Sequence, residues 1–261
     1  MNKIHSSAII SDNCTIGDNV QIGAYSVIEG NVKIGDGTII HPQVNISGNT
    51  DIGKNNKIFQ FCSIGSPPQD LKFSGEENYL QIGNSNTFRE GCTVNPGTKG
   101  GGLLTEIGSN SLFMTGAHVA HDCKVGNETI FANQATLGGH VIVGSNAVLG
   151  GLCGIHQFCR IGDLAMIGGL SAVHNDVVPF GLAAGNRARL EGVNLIGLKR
   201  ANYSNKDIKE YVKAIDIIFK SNSIETKSIE FKNSPNKLIK QLCDFIETKS
   251  NRGLCSYAKK K

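Results

Sequence analysis

Four histidines lie close together in the middle of the chain, at His118, His121, His140 and His156. Imidazole ordinarily titrates near neutral pH, which suits it to act as a general base or as a metal ligand. Asp122 directly follows His121, and Gly139 stands 18 residues after His121. A histidine beside a glycine N–H offers a base and an oxyanion donor, and acyl transfer needs both. This chemistry therefore requires a fold that brings residues 18 apart together.

A six-residue repeat supplies that spacing. Isoleucine occupies every sixth position from Ile4 to Ile64, and a smaller residue usually stands two positions before each isoleucine. A period of six fits neither an α-helix nor a simple strand, and it is typical of a parallel β-solenoid. Residues i and i−2 of a strand share one face, so both series are expected to point inward. Three six-residue sides would close a triangular coil of 18 residues, and a homotrimer is the simplest assembly for such a prism.

The repeat is interrupted twice. It lapses at 66–79 and at 97–104, which predicts two loops outside the coil. From Ile107 to Val173 it continues in a frame shifted by one residue. All four histidines belong to this second frame, and none of them occupies an inward position.

The pattern changes again near the C-terminus. A solenoid is predicted at 1–185 and a small helical domain at 186–261. Ser204 has the character of a helix N-cap, and a second helix is expected from about Pro235. The tail that ends in Lys259–Lys261 is expected to be frayed.

Composition argues against several classes of function. The formal charge of +4 is mild and no aromatic-and-basic motif occurs, so nucleic-acid binding is not expected. No signal peptide and no segment long enough to span a bilayer is found, which predicts a cytoplasmic protein without membrane insertion. Six of the eight cysteines stand in the small inward position and no CxxC pair occurs, so they are expected to pack in the core.

Stacked coils would place His121, Gly139 and Gln157 in one column, with Asp122 beneath His140. This column favours an acyl-transfer site, and two other interpretations stay open. Zinc could be bound by His118 and His121 together with a ligand from another chain. The outward histidines could also belong to a solvated face of a purely structural solenoid.

Longer motifs resemble those of the UDP-N-acetylglucosamine acyltransferases, which begin lipid A synthesis. The motifs are Ala117–Cys123, Val125–Asn127, Gly139–Val141, Gly154–Cys159, Gly192–Leu195, Gly197–Arg200, the loop Gln69–Phe73 and the ending Arg252–Leu254. The resemblance covers essentially the whole chain. It implies a left-handed parallel β-helix of hexapeptide repeats with a small C-terminal α-helical domain. The left-handed coil is implied by the resemblance alone. The repeat does not define a hand, and parallel crossover connections are ordinarily right-handed.

The resemblance also implies an activity and a set of site residues. A homotrimer would transfer a 3-hydroxyacyl chain from acyl carrier protein to the 3-hydroxyl of UDP-N-acetylglucosamine. His121 would be the general base, Asp122 would orient it, and the Gly139 N–H would stabilise the oxyanion. The expected substrate-binding residues are Gln69, Asp70, Lys72, Asn95, His118, His140, His156, Gln157, Asn194 and Arg200. Asn194 and Arg200 would reach the nucleotide from a neighbouring subunit, and Gly169 would leave room for a long acyl tail.

No cofactor and no metal are implied, because the acyl donor arrives on the phosphopantetheine of acyl carrier protein. Three residues depart from the family pattern. Asn95 stands where a histidine is frequent, Ile196 where an acidic residue occurs, and Ala201 where a second arginine is frequent. The open alternatives are N-acyl transfer to the 3-amino analogue of the sugar, a CoA-dependent acetyltransferase and a zinc-dependent solenoid lyase. The sequence leaves the acyl length and the choice of oxygen or nitrogen acceptor undecided.

Overall fold

The computed structural model describes residues 1–258, and the tail residues Lys259–Lys261 lie outside the described residues. The larger part of the chain is a coil of very short strands. Each strand pairs in parallel with strands of the neighbouring coils. None of the helices within the described part of the chain combines the length and apolarity that a bilayer span needs.

The strands follow the hexads of the sequence. Strands β1 to β11 are Lys3–Ile4, Ile9–Ile10, Thr15–Ile16, Gln21–Ile22, Val27–Ile28, Val32–Ile34, Ile39–Ile40, Asn45–Ile46, Asn49–Ile52, Lys57–Ile58 and Ser63–Ile64. Strands β12 to β14 are Tyr79–Ile82, Thr87–Phe88 and Thr93–Val94. Strands β15 to β26 are Leu104–Ile107, Leu112–Phe113, His118–Val119, Lys124–Val125, Ile130–Phe131, Thr136–Leu137, Ile142–Val143, Val148–Leu149, Gly154–Ile155, Arg160–Ile161, Met166–Ile167 and Ala172–Val173.

Every third strand belongs to the same sheet, so the coil has three sides. The first sheet runs β1-β4-β7 and onward, the second runs β2-β5-β8, and the third runs β3-β6-β9. Ile4 pairs with Ile22, and Ile22 pairs with Ile40. Residues 18 apart are therefore neighbours on successive coils, as the sequence predicts.

The inward positions form one continuous core. Isoleucines from Ile22 to Ile64 are almost fully buried, and Phe88, Phe113 and Phe131 stack above them with ring centroids 4.6 and 4.7 Å apart. Five of the six inward cysteines are buried, and Cys14 is partly buried. Ile4 is 46% exposed, because the first coil has no neighbour on its outer side.

Both interruptions of the repeat leave the coil at the same corner. One lies between β11 and β12 and the other between β14 and β15, so each replaces a turn from the second sheet to the third. The two loops are joined. The Asn78 side chain donates to the Gly97 carbonyl at 2.8 Å, and the Lys99 N–H donates to Glu76 Oε1 at 3.1 Å. Backbone N–H groups of Ser74 and Lys99 lower the pKa of Glu76 to about 2.

The C-terminal part begins with strands rather than helices. Strands β27 (Gly181–Ala184) and β28 (Arg189–Val193) form an antiparallel hairpin that extends the first sheet. Helices α1 to α4 follow at Leu195–Arg200, Asn205–Phe219, Ile224–Ile229 and Lys237–Glu247, and a short 3-10 helix lies earlier in the chain at Lys99–Gly101. The sequence predicts α2 and α4 but not the hairpin, α1 or α3.

Helix α2 begins as predicted and attaches the helical part to the solenoid. The Ser204 hydroxyl accepts the Asp207 N–H at 3.0 Å, and the buried Tyr211 hydroxyl donates to the Pro179 carbonyl at 2.6 Å. Val212 is 37% exposed. Val212 therefore lies at the border of the buried face of α2, whereas Ala214 is buried.

Candidate functional site

Three turns stack one above another to form what we call the histidine corner, made of residues 120–122, 138–140 and 156–158. Each turn joins a strand of the second sheet to a strand of the third. The His140 N–H donates to the His121 carbonyl at 2.9 Å, and the Phe158 N–H donates to the Gly139 carbonyl at 3.1 Å. The predicted column of His121, Gly139 and Gln157 is therefore present.

At the centre of the corner, His121 and Asp122 form a hydrogen-bonded dyad. His121 Nδ1 lies 2.7 Å from Asp122 Oδ2, and each residue is only 6% exposed. A carboxylate can only accept, so this contact places the proton on Nδ1. Nε2 is then left as the proton acceptor of the ring, which is the state that a general base requires.

Gly139 packs directly against the imidazole of His121. A Cβ atom added at Gly139 would lie 2.6 Å from His121 Nε2, so no side chain fits here without displacing the ring. The N–H of Gly139 donates to no acceptor within residues 1–258. A free N–H beside Nε2 is available to a bound oxyanion.

The second insertion covers the dyad. The Thr98 N–H donates to Asp122 Oδ1 at 2.8 Å, and the Thr98 hydroxyl donates to Asp122 Oδ2 at 2.6 Å. The backbone N–H of Asp122 donates to Thr105 Oγ1 at 2.8 Å. His121 lies outside the core of the coil, as the repeat predicts, but the loop covers it and buries the residue. Thr98 is not predicted as a site residue, although both insertions replace turns at this corner and that pattern could have indicated it.

A groove of about 740 Å³ runs along the second sheet beside the dyad. Its lining includes Gln69, His118, His121, Gly139, His156, Gln157 and His174. His174 is not among the predicted residues, although it follows the inward Val173 just as His156 follows Ile155. The ring centroids of His156 and His174 are 5.4 Å apart.

A second pocket of about 380 Å³ lies on the other side of the corner. Asp70, Lys72, His140 and Phe158 line it, and the rings of His140 and Phe158 stack with centroids 4.3 Å apart. Burial lowers the pKa of His140, with Asp122 acting in the opposite direction. Seven of the ten predicted substrate residues are thus divided between the groove and this pocket.

His118 is held on the outer face of the second sheet. Its Nδ1 lies 2.7 Å from Thr93 Oγ1. Burial, and to a smaller extent the neighbouring His121, lower the pKa of His118. Near neutral pH, His118 and His140 are therefore neutral hydrogen-bonding groups.

Four of the predicted residues line neither the groove nor the second pocket. The buried Asn95 donates to the carbonyls of Ser66 and Pro67 at 3.0 and 3.2 Å, so its amide N–H₂ secures the first loop. Asn194 caps α1, and its Nδ2 donates to the Leu164 carbonyl at 2.9 Å. Leu164 lies on the turn from the third sheet to the first, away from the histidine corner.

Arg200 and Gly169 also lie away from the histidine corner. Arg200 is the exposed last residue of α1. Gly169 is exposed on a turn from the first sheet to the second. Asn194, Arg200 and Gly169 can meet His121 only if another copy of the chain supplies them.

The ligand atoms of His121, Asp122 and His140 lie within 4.8 Å of one another, as a metal site would require. The carboxylate oxygens that would bind a metal already accept hydrogen bonds, however. Both oxygens of Asp122 accept hydrogen bonds from Thr98, and Oδ2 also accepts His121 Nδ1. These residues fit a hydrogen-bonded dyad and not a metal centre, and the zinc interpretation had paired His121 with His118 instead.

Comparisons with known proteins find similarity along nearly the whole chain. A family model described as UDP-N-acetylglucosamine O-acyltransferase, domain 2, matches residues 176–255. A model of the bacterial transferase hexapeptide matches residues 1–30, 13–48 and 104–139. An acyl-(acyl-carrier-protein)--UDP-N-acetylglucosamine O-acyltransferase of Aliarcobacter butzleri is 50% identical over 248 residues, which cover 94% of this chain and 95% of that protein. The enzyme of the same name from Rickettsia canadensis is 44% identical over 260 residues and covers 98% of both chains.

Solved structures are similar over the same length. LpxA from Acinetobacter baumannii superposes with a TM-score of 0.94 at 42% identity, covering 97% of this chain and 99% of that chain. The UDP-N-acetylglucosamine acyltransferase of Campylobacter jejuni gives a TM-score of 0.92 at 37% identity, covering 98% of this chain and 100% of that chain. The similarity therefore includes both the solenoid and the helical part.

Proposed function

The chain belongs to the acyl-(acyl-carrier-protein)--UDP-N-acetylglucosamine O-acyltransferases, and we propose that its His121 is the general base of that reaction. The protein is an acyltransferase that moves an acyl chain from acyl carrier protein to UDP-N-acetylglucosamine. Its fold is the left-handed parallel β-helix with C-terminal helices that the resemblance implies. We also propose that the acyl group is a 3-hydroxyacyl chain and that the acceptor is the 3-hydroxyl of the sugar, in the first step of lipid A synthesis.

One observation carries the proposal for His121: Asp122 holds Nδ1 while Nε2 lies against Gly139. In the first step, Nε2 takes the proton of the sugar hydroxyl as the oxygen attacks the thioester carbonyl. The carbonyl becomes a tetrahedral oxyanion, and the free N–H of Gly139 donates to it. Asp122 stabilises the imidazolium that forms.

In the second step the tetrahedral intermediate collapses. The C–S bond breaks, and the thiolate of the carrier takes the proton from the His121 imidazolium. The products are an O-acylated sugar nucleotide and the free thiol of the carrier, so the base returns to its starting state. No further reactant is needed, which agrees with the expectation that the enzyme uses no cofactor.

The two neighbouring histidines have a different function from His121. Burial lowers the pKa of both His118 and His140. Neutral rings can hydrogen-bond to substrate without opposing the positive charge that develops on His121. Because Asp70, Lys72 and His140 line the second pocket, we assign that pocket to the sugar nucleotide and the groove with Gln69, His156 and Gln157 to the acyl donor.

We propose a homotrimer because large apolar residues are exposed along one edge of the prism. This edge, which we call the leucine corner, comprises the turns from the first sheet to the second. Tyr25, Phe61, Leu152 and Leu170 occupy the same position in four of these turns and are 70, 62, 59 and 72% exposed. Gly169 lies on the same edge, and a Cβ added there would approach only Gly151, at 3.3 Å or more. A neighbouring copy would cover this edge and bring Gly169 to the acyl tail in its groove.

Sedimentation of a Leu170→Glu variant tests this assembly. A charge at the covered edge is expected to dissociate the trimer and to abolish transfer, because Asn194, Arg200 and Gly169 would no longer reach a neighbouring His121. Lys57→Glu, which changes charge on the outer face of the first sheet, serves as the control. A fully active monomer would overturn the assembly.

The reaction itself is tested by product mass. The protein is incubated with UDP-N-acetylglucosamine, with its 3-amino analogue and with carrier proteins that bear 3-hydroxyacyl chains of different length. The expected product is an ester of the natural sugar, with a preference for long acyl chains because Gly169 has no side chain that would shorten the groove. An amide formed from the amino analogue alone would favour N-acyl transfer.

A further inference from the structure

We propose that Thr98 is a positioning residue for the general base, acting through Asp122. Its N–H and its hydroxyl hold the two oxygens of the Asp122 carboxylate and thereby fix the orientation of the His121 ring. This inference rests on the proposed role of His121.

The contacts of Thr98 are unusually complete. The residue is 3% exposed, and the side chain of Asp122 is fully buried. Thr98 supplies one donor to each carboxylate oxygen, at 2.8 and 2.6 Å, and His121 supplies the third donor at 2.7 Å. Two donors from one residue define the plane of the carboxylate, and that plane in turn defines the direction of the His121 hydrogen bond.

The hydroxyl of Thr98 is not used for helix capping. Thr98 is the N-cap residue of the 3-10 helix at Lys99–Gly101, a position where threonine ordinarily accepts a backbone N–H from its own helix. Thr98 makes no such side-chain cap, and its hydroxyl donates to Asp122 instead. The side chain therefore contributes to the dyad and not to its own turn.

The backbone around the carboxylate is also held in place. The Asp122 N–H is bound by Thr105, and a Cβ added at Gly101 would overlap the Asp122 carboxyl group. The loop thus packs directly on the carboxylate and excludes water from it. Thr98 itself is secured because its carbonyl accepts the N–H groups of Gly101 and Leu103, and the adjacent Lys99 N–H is bound by Glu76.

The hydroxyl is expected to affect proton affinity as well as position. A carboxylate that accepts more hydrogen bonds attracts an imidazolium less strongly, because its charge is shared. Removing the hydroxyl is therefore expected to strengthen the attraction between the Asp122 carboxylate and a protonated His121 ring. Three other titratable groups interact with the dyad, namely His118, His140 and Cys123, and the charges of Asp70 and Lys72 act on His140.

The test compares Thr98→Val with Thr98→Ser and with the control Thr129→Val. Valine keeps the shape and the N–H but removes the hydroxyl, whereas serine keeps the hydroxyl. Thr129 is also fully buried, and its hydroxyl donates to Ser111 at 2.9 Å inside the core. We expect Thr98→Val to lower kcat roughly ten- to a hundredfold, the effect of losing one hydrogen bond to a charged group, with little change in KM.

The pH profile separates positioning from a merely structural role. In Thr98→Val the acid limb of kcat/KM moves to higher pH, and in Thr98→Ser both kcat and the limb return toward wild type. Thr129→Val leaves the limb in place. An unshifted limb with unchanged kcat in Thr98→Val overturns the proposal.

Nitrogen-15 NMR of the His121 ring, assigned with His121→Gln, keeps this inference distinct from the proposed function. Thr98→Val is expected to shift the titration of the His121 ring to higher pH relative to wild type. If His121→Gln stays active, the base assignment fails, but the NMR comparison still decides whether Thr98 positions the ring. An identical titration in wild type and Thr98→Val would refute the inference even if His121 is essential.

Discussion

A single methyl group at Gly139 should disable the enzyme while leaving its fold intact. In Gly139→Ala the new Cβ would lie 2.6 Å from His121 Nε2 and 3.0 Å from Nδ1, and ordinary contact begins at 3.4 Å. The ring cannot simply rotate away, because Nδ1 is bound to Asp122 and Asp122 is bound to Thr98. His121 or the 138–140 turn must therefore move by nearly 1 Å.

A displacement of this size between reacting groups costs about 100-fold in rate, or about 2.7 kcal/mol of transition-state stabilisation. The assay is steady-state transfer from a hydroxyacyl carrier protein to UDP-N-acetylglucosamine, with thermal unfolding measured in parallel. We expect the loss in kcat, because the methyl group displaces the base from the reacting oxygen.

Gly151→Ala is the matched control. Gly151 has the same place in its turn as Gly139, two residues after an inward leucine, and its added Cβ would meet only the Asn133 carbonyl at 3.4 Å. This variant is the control for stability and not for kcat, because Gly151 lies beside Gly169 at the leucine corner, and it is expected to keep the wild-type melting temperature. If Gly139→Ala keeps kcat within about threefold, the close packing of Gly139 on His121 has no part in catalysis, and the geometric reasoning is refuted.

Three further predictions follow from the dyad and its neighbours. Asp122→Asn should lower kcat by about 10³-fold or more, because an amide favours the wrong tautomer of His121, and near-normal kcat would contradict this. The pKa values of His118 and His140 are lowered in the folded state, so the unfolded chain binds more protons at acid pH. The free energy of unfolding should therefore have its full value above about pH 6.5 and decline below it. His118→Gln should lessen the accompanying decline in melting temperature. Dialysis against EDTA should leave transfer unchanged because Asp122 is engaged by Thr98 and His121, whereas a loss restored by Zn²⁺ would establish a metal centre.

The regular part of the fold can be read from the sequence because the hexad repeat reports directly on packing. A residue such as Ile22 has one inward direction and stacks on the residue 18 further on. The same rule places His121 next to Gly139 without any information on loops. The column at the histidine corner is therefore a consequence of period and register alone.

Features that depend on the inserted loops could not be predicted from the repeat. The repeat places His121 on the outside, yet the 97–104 segment folds back over it and buries it, and Thr98 completes the dyad from this segment. Asn95 matched a substrate position, and the repeat did not indicate that its amide N–H₂ group also binds the first loop. Loop conformations depend on contacts between distant segments, such as Glu76 with Lys99, and these have no periodic signal.

The short C-terminal elements were missed for a related reason. The hairpin of β27 and β28 has strands of only four and five residues, and α1 and α3 have six residues each. Helices this short are stabilised by tertiary packing rather than by their own sequence. Helices α2 and α4 were predictable because each presents several apolar residues on one face.

The most direct test of the central claim is the rate of transfer by His121→Ala at saturating substrates and near-neutral pH. Wild-type melting behaviour would establish that the solenoid is intact, and product formation would be read by mass. With His121 as the general base, kcat should fall by about 10³-fold or more. A variant that retains kcat within about tenfold of wild type would contradict the assignment of His121.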